Sequence, residues 1–218
     1  MKSKVRLDQI LVLRGFAKNR SHAQALVMSG KVYSGDRCLK KAGHQYENTV
    51  DLDIRGKEHQ WASRGGIKLA HAIKKFGVKP AGKLCIDIGA STGGFTDVLL
   101  CYGAAGVYAV DVGFGQLAWK LRTNKKVHVI EKFNARYLSE EQIDTKVDLL
   151  VVDVSFISLE KVLPPAFDLT KDCAELIALI KPQFEVTKSD VGKRGVIRDP
   201  VLHNKVCEKI GDWINNYF

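Results

Sequence analysis

The stretch Leu84-Cys-Ile-Asp-Ile-Gly-Ala-Ser-Thr-Gly-Gly-Phe95 decides the reading of this chain. Leu84–Ile88 is a short apolar run of strand length, and it passes directly into a glycine-rich turn and then a helical pattern over 95–102. Similar strand-like runs recur at 107–112, 127–130, 147–154 and 175–180, with helical patterns at 115–122, 159–169 and 200–215. Strands that alternate with helices and are apolar throughout predict a parallel sheet covered on both faces, an α/β domain. In such sheets ligands bind beyond the carboxyl ends of the strands, so the polar residues there are the candidates for chemistry.

The glycine loop is the first of these. A nicotinamide fingerprint needs G-x-G-x-x-G, and Ser91 stands where the middle glycine would be. A Walker A loop needs a lysine before its Ser or Thr, and this loop has none. The second strand ends in Asp111, whose carboxylate can accept hydrogen bonds from both hydroxyls of a ribose. Asp87, Gly89 and Asp111 together point to a site for S-adenosylmethionine; a purely structural glycine turn is the alternative. Ser91, Gly93, Gly94 and Phe95 complete the candidate loop, and Asn134 after the third strand is a candidate border of the adenine.

Three more polar residues stand near strand ends: Asp153 after the fourth strand, Lys181 after the fifth, and Lys68 on a short predicted helix before the sheet. Each alone reads as a solvated end. Together beside a sulfonium cofactor they suit transfer to a ribose hydroxyl, a poor nucleophile. Ammonium groups stabilise a developing alkoxide, and a carboxylate orients them or helps remove the proton.

Charge separates a second region. The 218 residues carry a net +10, and residues 1–60 hold 12 basic and 6 acidic side chains, more than half the surplus in about a quarter of the chain. Such an excess suits a polyanionic partner. Leu7, Ile10, Leu11 and Leu13 predict one amphipathic helix. A second, capped by Ser21, turns Ala23, Leu26 and Val27 inward and stops at Gly30. Short strands follow near 31–34 and 49–54. The expected division is a small α+β module over 1–54, a linker over 55–62 with Trp61 packing one domain on the other, and the α/β domain over 63–218.

The segments Ser63-Arg-Gly-Gly-Ile-Lys68-Leu, Asp87-Ile-Gly-Ala-Ser-Thr-Gly-Gly-Phe95, Ala109-Val-Asp-Val-Gly113, Asp153-Val-Ser-Phe-Ile-Ser-Leu159 and Leu179-Ile-Lys-Pro-Gln-Phe-Glu185 resemble those of the TlyA family. These are FtsJ-like ribosomal RNA ribose 2′-O-methyltransferases that often carry a haemolysin label. Arg6-Leu-Asp-Gln-Ile-Leu-Val-Leu-Arg-Gly15 and Ser29-Gly-Lys-Val32 resemble the small RNA-binding module of ribosomal protein S-four. The resemblance implies a Rossmann-like class I methyltransferase domain, S-adenosylmethionine as cofactor, and a cytidine in ribosomal RNA or a ribosomal subunit as substrate. It implies Lys68, Asp153 and Lys181 as the first three members of a Lys-Asp-Lys-Glu catalytic set. The fourth, a Glu on a late strand, has no counterpart in these 218 residues, and Glu185 follows Lys181 too closely to be it. That motivates an alternative, an RNA- and cofactor-binding protein with weakened catalysis. Arg6, Arg14, Lys18, Arg20 and Lys31 are the expected RNA contacts.

Other classes lose support. There is no apolar run of about 18 residues for a membrane span, and the short apolar N-terminal stretch is broken by Asp8 and Arg14. Nothing in the pattern supports a pore or a membrane partner. Five widely spaced cysteines form no metal or disulfide motif. The histidines show no ligand spacing, so no metal is expected, and the compartment is read as reducing and cytoplasmic. Cys85 and Cys173 are expected in the core. The segment 191–200 reads either as a loop beside the site or as plain surface, and oligomeric state is left open.

Overall fold

The computed structural model describes residues 4–55, 60–187, 191–192 and 195–217. The chain divides into two compact units, 1–60 and 61–218.

In the first unit, β1 (Lys4–Arg6) leads into α1 (Leu7–Leu13), followed by α2 (Arg20–Met28), β2 (Val32–Ser34), β3 (Arg37–Cys38), β4 (Gln45–Glu47) and β5 (Asp53–Ile54). β1 pairs antiparallel with β4, and β3-β2-β5 form a second small antiparallel sheet. Leu7, Ile10 and Leu11 of α1 pack with Ala23 and Val27 of α2 and with Val32, Leu39 and Leu52. The cap of α2 differs from expectation. Asn19, not Ser21, holds the extended capping conformation, and its side chain accepts from the His22 amide at 2.9 Å. Ser21 lies two residues too late, inside the helix.

The second unit opens with α3 (Gly65–Phe76). Then come β6 (Leu84–Ile88), α4 (Gly94–Cys101), β7 (Gly106–Val110), α5 (Trp119–Arg122), β8 (Val127–Ile130), β9 (Val147–Val152), α6 (Leu159–Phe167), β10 (Thr170–Ala178), α7 (Pro182–Glu185) and α8 (Pro200–Tyr217). The five strands are parallel in the order β10-β9-β6-β7-β8. The alternation of side chains along each strand feeds two cores. Ile86, Ile88, Val110, Leu150 and Val152 pack beneath α6 and α8. Cys85, Val107, Leu149 and Val151 pack on the other face beneath α3 and α4.

Several boundaries move. Strands expected to reach 112 and 154 end at Val110 and Val152, so Asp111 and Asp153 stand just beyond them. The helix expected over 115–122 is one turn, because Gly115 takes a left-handed φ of 69° before it. Cys173 is exposed, not in the core, because β10 is an edge strand whose first half faces solvent. Burial pushes the Cys85 thiol up to about 12, which leaves it an inert core residue. Trp61 packs against the core of its own unit beside Leu69 and Phe95. It stands so close to Gly66 that a Cβ there would lie 2.5 Å from the Trp61 Cβ.

Candidate active site at the switch point of the sheet

β6 has β7 on one side and β9 on the other, so the chain leaves these strands in diverging directions above their carboxyl ends. A cleft of about 940 Å³ opens there. Its lining includes Gly89 and Ser91 after β6, Asp111 after β7, Asn134 after β8 and Asp153 after β9.

Asp111 is fixed from two sides. Its Oδ2 accepts from the Ser91 amide at 2.8 Å and its Oδ1 from the Gly113 amide at 2.7 Å. Each oxygen keeps a further lone pair for a ligand hydroxyl. Ser91 takes a left-handed φ of 48°, a conformation that costs a non-glycine residue roughly 1–3 kcal/mol and clusters at functional sites. Gly89 is required by contact as well as by its φ of 84°. A Cβ there would lie 2.7 Å from the Asp153 carbonyl oxygen, so glycine allows β6 and β9 to bring their loops together.

Asp87 lies behind this loop, fully buried. Its Oδ2 accepts from the Thr96 hydroxyl at 2.6 Å, while its Oδ1 finds no partner among the described residues. Burial pushes its carboxyl up to about 7. An orphaned carboxylate oxygen at the root of a ligand loop calls for a donor, and a ligand ammonium, directly or through water, would supply one. With Asp111 set for a ribose, the donor set fits S-adenosylmethionine, which carries both groups. Gly93, Gly94 and Phe95 serve differently from their expected place. A Cβ at Gly93 would strike Leu121, one at Gly94 would strike Ser63, and the Phe95 ring is buried in the core below α4. These residues seat α4, the helix into which the loop runs, and none lines the cleft. The Asn134 side chain accepts from the Arg136 amide and opens the short helical turn Ala135–Tyr137 at the cleft wall.

Lys68, Asp153 and Lys181 come from three elements far apart in the chain and meet. Lys68 projects from α3, and its Nζ is 3.4 Å from Asp153 Oδ2. The Lys181 Nζ, at the entry to α7, is 2.5 Å from Oδ1 of the same carboxylate and donates to the Ser155 hydroxyl at 3.0 Å. The Lys68 side chain is 52% exposed and that of Lys181 only 21%. One ammonium is thus anchored and the other is open to an incoming group. Glu185 is spoken for: buried, it accepts from the Ser158 hydroxyl at 2.6 Å and the Leu159 amide at 2.9 Å, which caps α6.

Sequence reasoning missed Ser155 and Phe156. Phe156 is a cleft residue with a left-handed φ of 66°, 90% exposed, its ring 5.1 Å from that of Phe184. Both sit inside the quoted Asp153–Leu159 segment, which was the available signal. Lys193 and Arg194, the centre of the expected 191–200 loop, lie outside the described residues, as do the linker residues 56–59.

In the first unit the expected RNA contacts separate into two groups. Asp8 is fully buried, and its carboxylate accepts from Arg6, Arg20 and Gln24. The guanidinium of Arg6 above all, helped by Arg20, holds the Asp8 carboxyl far below the usual carboxylate range. Arg20 and Gln24 of α2 therefore tie it to α1 through Asp8, and Arg6 braces the same carboxylate from the end of β1. Arg14 donates to the Val50 carbonyl at 2.5 Å. Lys18 and Lys31 form no ion pair among the described residues.

A doubly wound parallel sheet with a glycine loop after its first strand, a ribose-ready carboxylate after its second and a Lys-Asp-Lys cluster at its switch point defines a methyltransferase of the Rossmann-like class. The chain belongs to the FtsJ-like methyltransferase family, which matches residues 61–218; an S4 domain matches residues 5–47. It is 47% identical over 203 residues to the 16S/23S rRNA (cytidine-2′-O)-methyltransferase TlyA of Mycobacterium tuberculosis, covering 93% of this chain and 76% of that one. Hemolysin A of Brachyspira hyodysenteriae is 40% identical, with 93% and 84% covered. A solved structure from Streptococcus thermophilus that carries a hemolysin label superposes with a TM-score of 0.75 at 37% identity, covering all of this chain and 80% of that one. Among the described residues no helix is long and apolar enough to cross a membrane.

Proposed function

We propose that this protein transfers a methyl group from S-adenosylmethionine to the 2′-hydroxyl of a cytidine in ribosomal RNA. The observation that carries the reading is one carboxylate, Asp153, held between Lys68 and Lys181 at the rim of the cleft that Asp111 enters. The TlyA relatives, named for cytidine 2′-O-methylation, support the substrate. Ribosomal RNA as substrate places the work in the cytoplasm.

The cofactor, held through Asp87, Gly89, Ser91 and Asp111, supplies an electrophilic methyl on a sulfonium. The chain supplies the rest. Asp153 stands between two ammonium groups that would otherwise repel, offsets one of their two charges, and so keeps both at one point. Lys181, anchored by Ser155, fixes the carboxylate. Lys68, the more open of the two, would meet the ribose oxygen and stabilise the negative charge that builds there as the hydroxyl proton passes, directly or through water, to the Asp153 carboxylate. Arg14, Lys18 and Lys31 of the S4 domain supply salt-dependent affinity for the RNA backbone, while Arg6 and Arg20 divide their charge between Asp8 and any phosphate. Single-turnover methylation of unmodified ribosomal RNA, with labelled cofactor and with Lys68 intact or replaced by alanine, tests the reading. Transfer that depends on Lys68 supports it. Cofactor binding without transfer favours the binding-protein alternative.

A further inference from the structure

One charged surface of the methyltransferase unit extends from Lys68 to residues that have no role in the chemistry just described. Residues 59–86 carry six lysines and arginines and not one aspartate or glutamate. α3 lies in this stretch. It buries Leu69 and Ile73 and exposes Lys68, His71, Lys74 and Lys75. Spacings of three and four residues place Lys68, His71 and Lys75 on one line along the helix, with Lys74 beside it. At 1.5 Å per residue the line runs about 10 Å from the Lys68 Cα to the Lys75 Cα.

Some surface lysines of this unit are paired, Lys83 with Glu175, Lys120 with Asp97, Lys171 with Asp148 and Lys209 with Glu160, while others, such as Lys79 and Lys125, form no ion pair among the described residues. Among the described residues Lys74 and Lys75 pair with no carboxylate. Lysines in a last helical turn do complement the helix dipole. That accounts for two cations at the end of α3, but not for a surrounding 28-residue stretch without acid.

We propose that the exposed face of α3 is a track for the phosphate backbone of the RNA strand leading away from the nucleotide at Lys68. This rests on the proposed function and adds to it a second RNA contact, on the methyltransferase unit itself. Lys74 and Lys75, uncompensated at the far end of the helix from the Lys68–Asp153 pair, release counterions as phosphates replace them, which gives affinity without sequence preference.

The test uses the full chain and unmodified ribosomal RNA, with binding measured across a salt series. The double substitution Lys74→Gln with Lys75→Gln should weaken binding about tenfold at low salt. It should also make the slope of log K against log salt shallower by about 1.4, two phosphates at roughly 0.7 each. Lys74→Arg with Lys75→Arg should retain both affinity and slope. Calorimetry with S-adenosylmethionine should give the same affinity for both variants, which shows that the unit is folded. A glutamine pair that matches the parent in affinity and slope overturns the track and leaves the proposed function standing. A parent chain that binds no RNA overturns both.

Discussion

Lys68 and Lys181 grip opposite oxygens of a single carboxylate, at 3.4 Å from Oδ2 and 2.5 Å from Oδ1 of Asp153. The three residues lie on α3, after β9 and after β10, and neither lysine can be moved without changing the charge balance at the other. They are expected to act as one unit.

Lys68→Ala should slow single-turnover methyl transfer by a hundredfold or more, by comparison with removal of one charge-stabilising donor elsewhere. Cofactor affinity should hardly change, because the lost interaction develops only with charge in the transition state. Asp153→Ala should cost as much, since it releases two ammonium groups to repel each other. The Lys68→Ala, Asp153→Ala pair should be far from additive. Additive losses would show that the residues contribute separately.

Asp111 has two duties that one substitution separates. Asp111→Ala removes a charged acceptor whose bonds are each worth roughly 1.5–3 kcal/mol and frees the Ser91 and Gly113 amides, so calorimetry should show at least a tenfold weaker cofactor. Asp111→Asn keeps one acceptor oxygen for the loop and should fall between the two. Equal affinity in all three forms would place the nucleoside elsewhere.

Asp87 makes stability depend on pH in an unusual direction. Its carboxyl titrates near 3.8 when unfolded and is pushed up to about 7 when buried. Between about pH 4 and pH 7 the folded state holds a proton that the unfolded state has lost, so stability falls as pH rises, by up to roughly 1.4 kcal/mol per unit. Asp87→Asn keeps an acceptor for Thr96 and should flatten this window. Urea unfolding at pH 5 and pH 8 checks it, and an Asn variant with the parent's slope would acquit Asp87.

Asp8 should behave in the opposite sense. Its carboxyl is held well below the usual range, so the stability it confers is complete above about pH 4 and is lost as pH falls through the folded value. Asp8→Ala strands two guanidiniums. The cost should be roughly 2–3 kcal/mol, less than for a fully buried pair because Arg6 and Arg20 reach solvent. Hydrogen exchange should show the loss over 7–28 and leave the sheet of the second unit protected.

Much of this protein was written in local pattern. Apolar runs separated by helical periods identify the parallel sheet, because strands buried on both faces must be apolar throughout. The residues that punctuate their ends, Gly89, Asp111, Asp153 and Lys181, locate the cleft, because parallel strands present their carboxyl ends on one side. Which of those residues face a ligand was decided by packing. Gly93, Gly94 and Phe95 belong to the same loop as Gly89 and Ser91, yet helix seating takes them out of the cleft. Arg6 and Arg20 read as RNA contacts from the sequence, and only the fold shows that a fully buried Asp8, two residues from one and twelve from the other, shares their charge. The meeting of Lys68 with Asp153, 85 residues on, depends on α3 crossing the sheet next to β9's end. Local periodicity reports which face of an element is apolar; only the tertiary fold determines which distant charges must then share a place.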